Sequence, residues 1–177
     1  HWTYEDYCSL PSDGNRYEII EGELHVSPSP NVRHQLIAQR LAFELELQLA
    51  RTGKGLVFHA PTDVILSPTV VVQPDLLVIK TEHRNRISTK AIEVAPDLAI
   101  EILSPATRNH DLVTKFKLYA SAKMPEYWIV DPDLEELSVF TLGPSGYLLS
   151  ATYRAPAIAK SELFDVSVNL VTLFEPI

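Results

Sequence analysis

The sequence predicts an α/β or α+β domain with a central mixed β-sheet flanked by helices. Three observations carry that prediction. Short apolar runs such as "LLVIK" (76–80), "LAIEI" (98–102) and "YWIV" (127–130) read as strands covered on both faces. Stretches between and before them carry apolar residues at helical spacing. Candidate β-hairpins lie near both the N-terminal and the C-terminal end. The order hairpin, helix, three strands, helix, strand, hairpin fits such a mixed sheet. With 177 residues, the chain is expected to form one domain, 1–177.

Each element has a local reason. "YEIIEGELHV" (17–26) reads as two short strands around Glu21-Gly22, with glycine supplying positive φ. "SPSP" (27–30) breaks the second strand, and Ser29 is expected to cap a helix whose first position is Pro30. That helix, about 31–51, carries Ile37, Leu41, Leu45 and Leu49 at i+4 spacing, a core-facing stripe. "LVFHAPTDVIL" (56–66) is a strand interrupted near Pro61, and "QPDLLVIK" (73–80) is the next, opened by Pro74. The basic stretch 81–91 is a loop, and 97–103 is a strand. A helix begins near Thr107, with Leu112, Phe116 and Tyr119 or Ala120 expected inward. "PEYWIVDP" (125–132) is a strand closed by Pro132, 137–153 a hairpin around Gly143–Gly146, and 168–174 ends in a short helix.

Composition narrows the function classes. No apolar run reaches 18 residues and no basic-then-apolar segment opens the chain, so neither a membrane span nor a signal peptide is expected. Cys8 is the single cysteine, which excludes an intramolecular disulfide and a thiolate metal cluster. A cytoplasmic protein fits. The net charge of −8 argues against a surface coated for nucleic acid. Residues 80–123 differ: eight Lys/Arg face five acids, so this segment is either a local basic surface or a mixed solvated face. Arg84 and Arg86 are its nucleic-acid-binding candidates; residues 80–90 and the helix at 108–123 are expected to border the entrance of an active-site cleft.

The chemistry centres on Glu101, a carboxylate inside an apolar strand. It pairs with a buried Arg or Lys, or it shares a metal with a second carboxylate. Asp75, directly after Pro74, is that second carboxylate if the two strands are neighbours. Oxygen ligands of this kind suit Mg²⁺ or Mn²⁺. Lys115 follows on the next helix, one turn after Asp111. The two form a surface i,i+4 pair, or Lys115 turns back toward the metal to act on a water or a phosphate. Further candidates are Glu18 and Glu23 on the hairpin, His34 at the start of the first helix, and Gln73 beside Asp75. Tyr119, Tyr127 and Trp128 read as core, Ser104 as a turn residue. Neither a serine-nucleophile elbow nor a glycine-rich phosphate loop is present.

"QPD" followed by "EIL" resembles the PD-(D/E)xK nuclease signature, in which Asp and Glu hold the metal and Lys stands two residues after Glu. Here that position is Leu103, and Lys115 matches variants whose lysine has moved to the following helix. "YEIIEGELHVSPSP", "VVQPDLLVI", "PDLAIEILSPATRNHDLVTKFKLYA" and "PEYWIVDP" resemble the Uma-type family of restriction endonucleases over about residues 4–175. The resemblance implies a restriction-endonuclease-like core with Asp75, Glu101 and Lys115 as catalytic residues, Asp75 and Glu101 holding the metal. It also implies DNA as substrate and a homodimer, because site-specific cutting of two strands needs two centres. A module that keeps the fold and binds nucleic acid or a protein without catalysis is the rival expectation, and hydrolysis of another phosphoester is a third.

Overall fold

The computed structural model describes every residue from His1 to Ile177. A short helix, α1 (Tyr4–Tyr7), precedes the first hairpin, β1 (Arg16–Ile20) and β2 (Glu23–Ser27). Ile20 pairs with Glu23, so Glu21 and Gly22 alone make the turn, at φ 53° and 80°. Positive φ at both positions matches the right-handed twist of the strands, and glycine takes the second at no steric cost. β4 (Val64–Ser67) and β5 (Val70–Val72) complete a four-stranded sheet in the order β2-β1-β5-β4.

The larger sheet has six strands: β3 (Gly55–His59), β6 (Leu76–Lys80), β7 (Leu98–Ile102), β8 (Glu126–Asp131), β9 (Glu136–Gly143) and β10 (Gly146–Arg154). Their order is β10-β9-β8-β7-β6-β3, with β7 and β8 parallel and every other pair antiparallel. The predicted mixed sheet is therefore present. Alternation along β6 to β8 splits the core in two. Leu76, Val78, Ile100 and Trp128 pack on one face with the stripe Ile37, Leu41, Leu45 and Leu49. Leu77, Ile79, Ala99, Leu103 and Tyr127 pack on the other with residues of the smaller sheet. A small pair, β11 (Ile158–Lys160) and β12 (Ser167–Asn169), and a final turn of helix, α4 (Leu170–Leu173), close the chain. No helix is long and apolar enough to cross a membrane.

Two expectations about the helices are corrected. α2 (Val32–Leu45), extended by a π-helical turn over Glu46–Ala50, is capped by Asn31, whose side chain accepts from the His34 N–H at 2.9 Å. Ser29 instead donates to the Gly14 carbonyl. Pro30 precedes the cap, because Asn31 is extended and leaves no helical turn for it. The second helix is a π-helical turn, His110–Lys115, continued by α3 (Phe116–Ser121). Its buried face carries Asp111, Lys115 and Tyr119, four residues apart, while Leu112 is exposed. The wide turn spaces inward positions by about four residues, and the space beside the strands is taken by charged groups.

Candidate active site

Asp75 stands one residue before β6, Glu101 in β7. The register pairs Leu76 with Ile100 and Leu77 with Ala99, so the next step along it brings Asp75 opposite Glu101. Both are on the strand face of Leu77, Ile79, Ala99 and Leu103. Lys115 reaches that face from the helix above. The three sit at the floor of a cleft of about 210 Å³. Their exposures are 3%, 1% and 3%, so all three are nearly enclosed by protein.

Each carboxylate is bound to a cation. Glu101 Oε1 accepts from Lys115 Nζ at 2.9 Å and from the Tyr119 hydroxyl at 2.6 Å, which leaves Oε2 without a hydrogen bond inside the chain. Asp75 Oδ1 accepts from Arg16 Nη1 at 2.6 Å. Its Oδ2 lies 3.0 Å from His34 Nε2 and accepts the Ile102 N–H at 2.8 Å. Lys115 Nζ also lies 2.9 Å from Glu18 Oε1 and 3.8 Å from Asp111 Oδ1. Glu18 accepts the Gln73 N–H at 2.7 Å, with His110 Nε2 at 3.6 Å from its other oxygen.

These contacts set the proton affinities. Burial works against the charge on Lys115, but Glu101, Glu18 and Asp111 outweigh it and hold its pKa above the ordinary lysine value. Burial also raises Asp75, yet His34, Arg16 and the Ile102 N–H bring it down to about 2. Glu101 goes the other way. Its burial, reinforced by Asp111, Asp75 and Glu18, exceeds the pull of Lys115 and keeps its pKa well above the ordinary carboxylate value. Four cleft carboxylates thus face two permanent cations.

The family described as Uma2, "Putative restriction endonuclease", matches residues 4–171. The chain belongs to the Uma2 family. The Uma2 chain is 27% identical over 142 residues to an uncharacterized protein of Synechocystis sp. (strain ATCC 27184 / PCC 6803 / Kazusa), covering 79% of this chain and 73% of that one. It also matches a crystal structure described as "a putative nuclease belonging to DUF820" from Anabaena variabilis ATCC 29413, with a TM-score of 0.81 over 98% of both chains. At 20% identity that likeness is one of fold.

Not every residue singled out from the sequence meets in this Uma2 cleft. His34 is there and buried. Glu23 is exposed at the turn end of its strand, on the hairpin face that brings Arg16 and Glu18 inward but beyond the reach of Lys115. Gln73 gives only its backbone N–H to the site. Its side chain turns to Tyr7 and Asp63. Arg84 and Arg86 lie on a 3₁₀ turn, Thr81–Arg86, which follows β6 at the end away from Asp75. None of residues 80–90 is among the residues that line the cleft. Arg16, His110 and the Tyr119 hydroxyl are site residues that the apolar pattern did not show. The alternation of "RYEII", with Arg16 and Glu18 on one face, was the available signal.

Carboxylate oxygens are hard donors, the type that Mg²⁺ and Mn²⁺ take. No group of three or more His, Cys, Asp or Glu side chains is placed to hold a metal ion. Mg²⁺ and Mn²⁺ need only one or two carboxylates and keep several waters. Glu101 Oε2 is free, and the excess of carboxylates is what a divalent ion would neutralise.

Proposed function

We propose that the chain is a Mg²⁺- or Mn²⁺-dependent nuclease that hydrolyses phosphodiester bonds in DNA. The observation that carries this reading is the convergence of Asp75, Glu101 and Lys115, from two neighbouring strands and a helix, at the floor of one cleft. Asp75 and Glu101 would hold the metal, which supplies charge neutralisation at the phosphate and acidifies a bound water. Lys115 is held protonated, so it donates hydrogen bonds to the charge that develops on phosphate oxygens and does not take the proton of the attacking water. The Ile102 N–H, Arg16 and His34 fix the Asp75 carboxylate, and Tyr119 fixes Glu101. Burial excludes bulk water, which strengthens each of these contacts.

A second reading, a non-catalytic binding module, draws on one observation. Lys115 and Arg16, the two permanent cations of the cleft, are already paired with carboxylates. The test is cleavage of plasmid and single-stranded DNA with Mg²⁺ or Mn²⁺, by the wild type and by Asp75→Ala, Glu101→Ala and Lys115→Ala. Each variant is expected to lose about a hundredfold or more of the rate. Wild-type DNA binding with no cleavage under any metal condition would establish the module instead.

A further inference from the structure

We propose that a cavity beside the cleft is a pocket for one unpaired nucleobase of the strand being cut. The inference takes its ligand class from the nuclease reading, while the pocket itself stands on its own geometry. The cavity, about 450 Å³, shares Arg16, Ser29 and Pro30 with the cleft, so an occupant would lie next to Asp75. Its walls include the flat rings of Tyr7 and Tyr17 and the apolar rings of Pro11 and Pro61. Tyr7 is braced by Tyr4, with ring centroids 6.1 Å apart. Gln73 lines the cavity too and is 7% exposed. Its Nε2 donates to the Tyr7 hydroxyl at 2.9 Å and to Asp63 Oδ1 at 2.8 Å. Asp63 Oδ1 can only accept, so the amide must turn its N–H toward it and Oε1 is the atom left over. That oxygen is enclosed by protein, closed off from the cavity, and has no hydrogen-bond partner. Unpaired buried acceptors are rare. Held by those two bonds, the Gln73 amide is a fixed part of the cavity wall.

The charges around the cleft point to the same ligand. Arg16 and Lys115 are engaged by Asp75, Glu101 and Glu18. Of the nearby arginines, Arg33 donates to the Pro132 carbonyl at 2.8 Å, and Arg108 pairs with Asp131 at 2.9 Å. The basic 3₁₀ turn lies at the other end of β6. Duplex binding depends on many free cations reaching phosphates. Single strands bind also by stacking bases on aromatic faces. A base within a duplex has both faces and its edge occupied, so only an unpaired or extruded one enters such a pocket.

The test is fluorescence anisotropy with the full-length Glu101→Gln variant, which should bind without cutting, in Mn²⁺. Three probes of equal length are compared: a single strand, the blunt duplex of the same sequence, and a strand of abasic residues with the same charge. The single strand should bind about tenfold tighter than either other probe, the worth of one stacked base. Tyr17→Ala should erase the difference between the strand and the abasic probe while leaving the melting temperature in place. The abasic comparison needs no pocket variant, so it stands even where Tyr17→Ala fails to fold. Duplex or abasic strand bound as tightly as the single strand overturns the pocket, whether or not wild type cuts DNA. Tighter binding of the single strand with no cleavage by wild type overturns the nuclease reading and leaves the pocket. Failure to bind any probe overturns the pocket, and the nuclease reading then stands or falls on cleavage by wild type.

Discussion

Glu18 is fully buried, yet its carboxyl titrates at about 2. Burial alone would raise it. Lys115, His110 and the Gln73 N–H outweigh burial. Because the folded value lies below the ordinary 4.5, the unfolded chain binds the proton more readily, and stability rises with pH across that interval. The contribution is complete above 4.5 and is lost as pH falls toward 2. It is on the order of 3 kcal/mol. Glu18→Gln should therefore lower stability by about that amount at pH 7, with the deficit closing as melts are taken toward pH 2. Glu101 has the opposite sign. Its raised folded pKa means that stability is lost as pH rises from the ordinary carboxylate value through the folded one. Glu101→Gln removes that loss, and Lys115 keeps Glu18 and Asp111 beside it. Metal-free Glu101→Gln is expected to be more stable than wild type at pH 7, on the order of 1 kcal/mol, with no advantage at pH 4. A loss of about 3 kcal/mol or more at pH 7 would mean that the substitution strands a buried cation.

Among the elements, the legible ones bury apolar groups at a regular period. The stripe Ile37, Leu41, Leu45 and Leu49 is of this kind; the strand "EYWIVD" shows as a continuous buried run, and the turn at Glu21-Gly22 through its glycine. The helix over 110–121 was legible as a helix but not in its facing, because a period counted on apolar residues does not register a buried face of Asp111 and Lys115. β5 and β11 are three residues each, too short to show alternation. Helix ends are local enough to test directly. Asn31→Ala should cost about 1 kcal/mol in denaturant unfolding, the usual worth of a lost N-cap. Ser29→Ala, which removes only an exposed bond to Gly14, should cost clearly less. Equal losses would show that the chain enters α2 through Ser29 after all.

At the scale of the molecule, the centre draws on both sheets. Asp75 and Glu101 were readable because their strands are close in sequence and pair directly. Arg16 and Glu18 come from β1, whose docking against β5 and the larger sheet depends on contacts about 55 residues away in the chain. No local pattern encodes that docking. Arg84 and Arg86 follow β6 and do not line the cleft. Changing both to Ala is expected to leave DNA affinity and its salt slope unchanged, measured by titration at several ionic strengths. A slope reduced by about one or more would put them on the nucleic-acid path.

β1 meets β5 through a single register pair, Ile19 with Val71, whereas β7 is paired along its length with β8. The hairpin that brings Arg16 and Glu18 is thus the more easily detached part of the fold, and partial opening there costs less than global unfolding. Two consequences follow for the protein in solution. Amide protons of β1 and β2 should exchange with deuterium well before those of β7 and β8. Under rising denaturant, cleavage should cease while the fluorescence of buried Trp128 still reports a native core. Coincident loss of the two signals would mean that the hairpin and the core open as one cooperative unit.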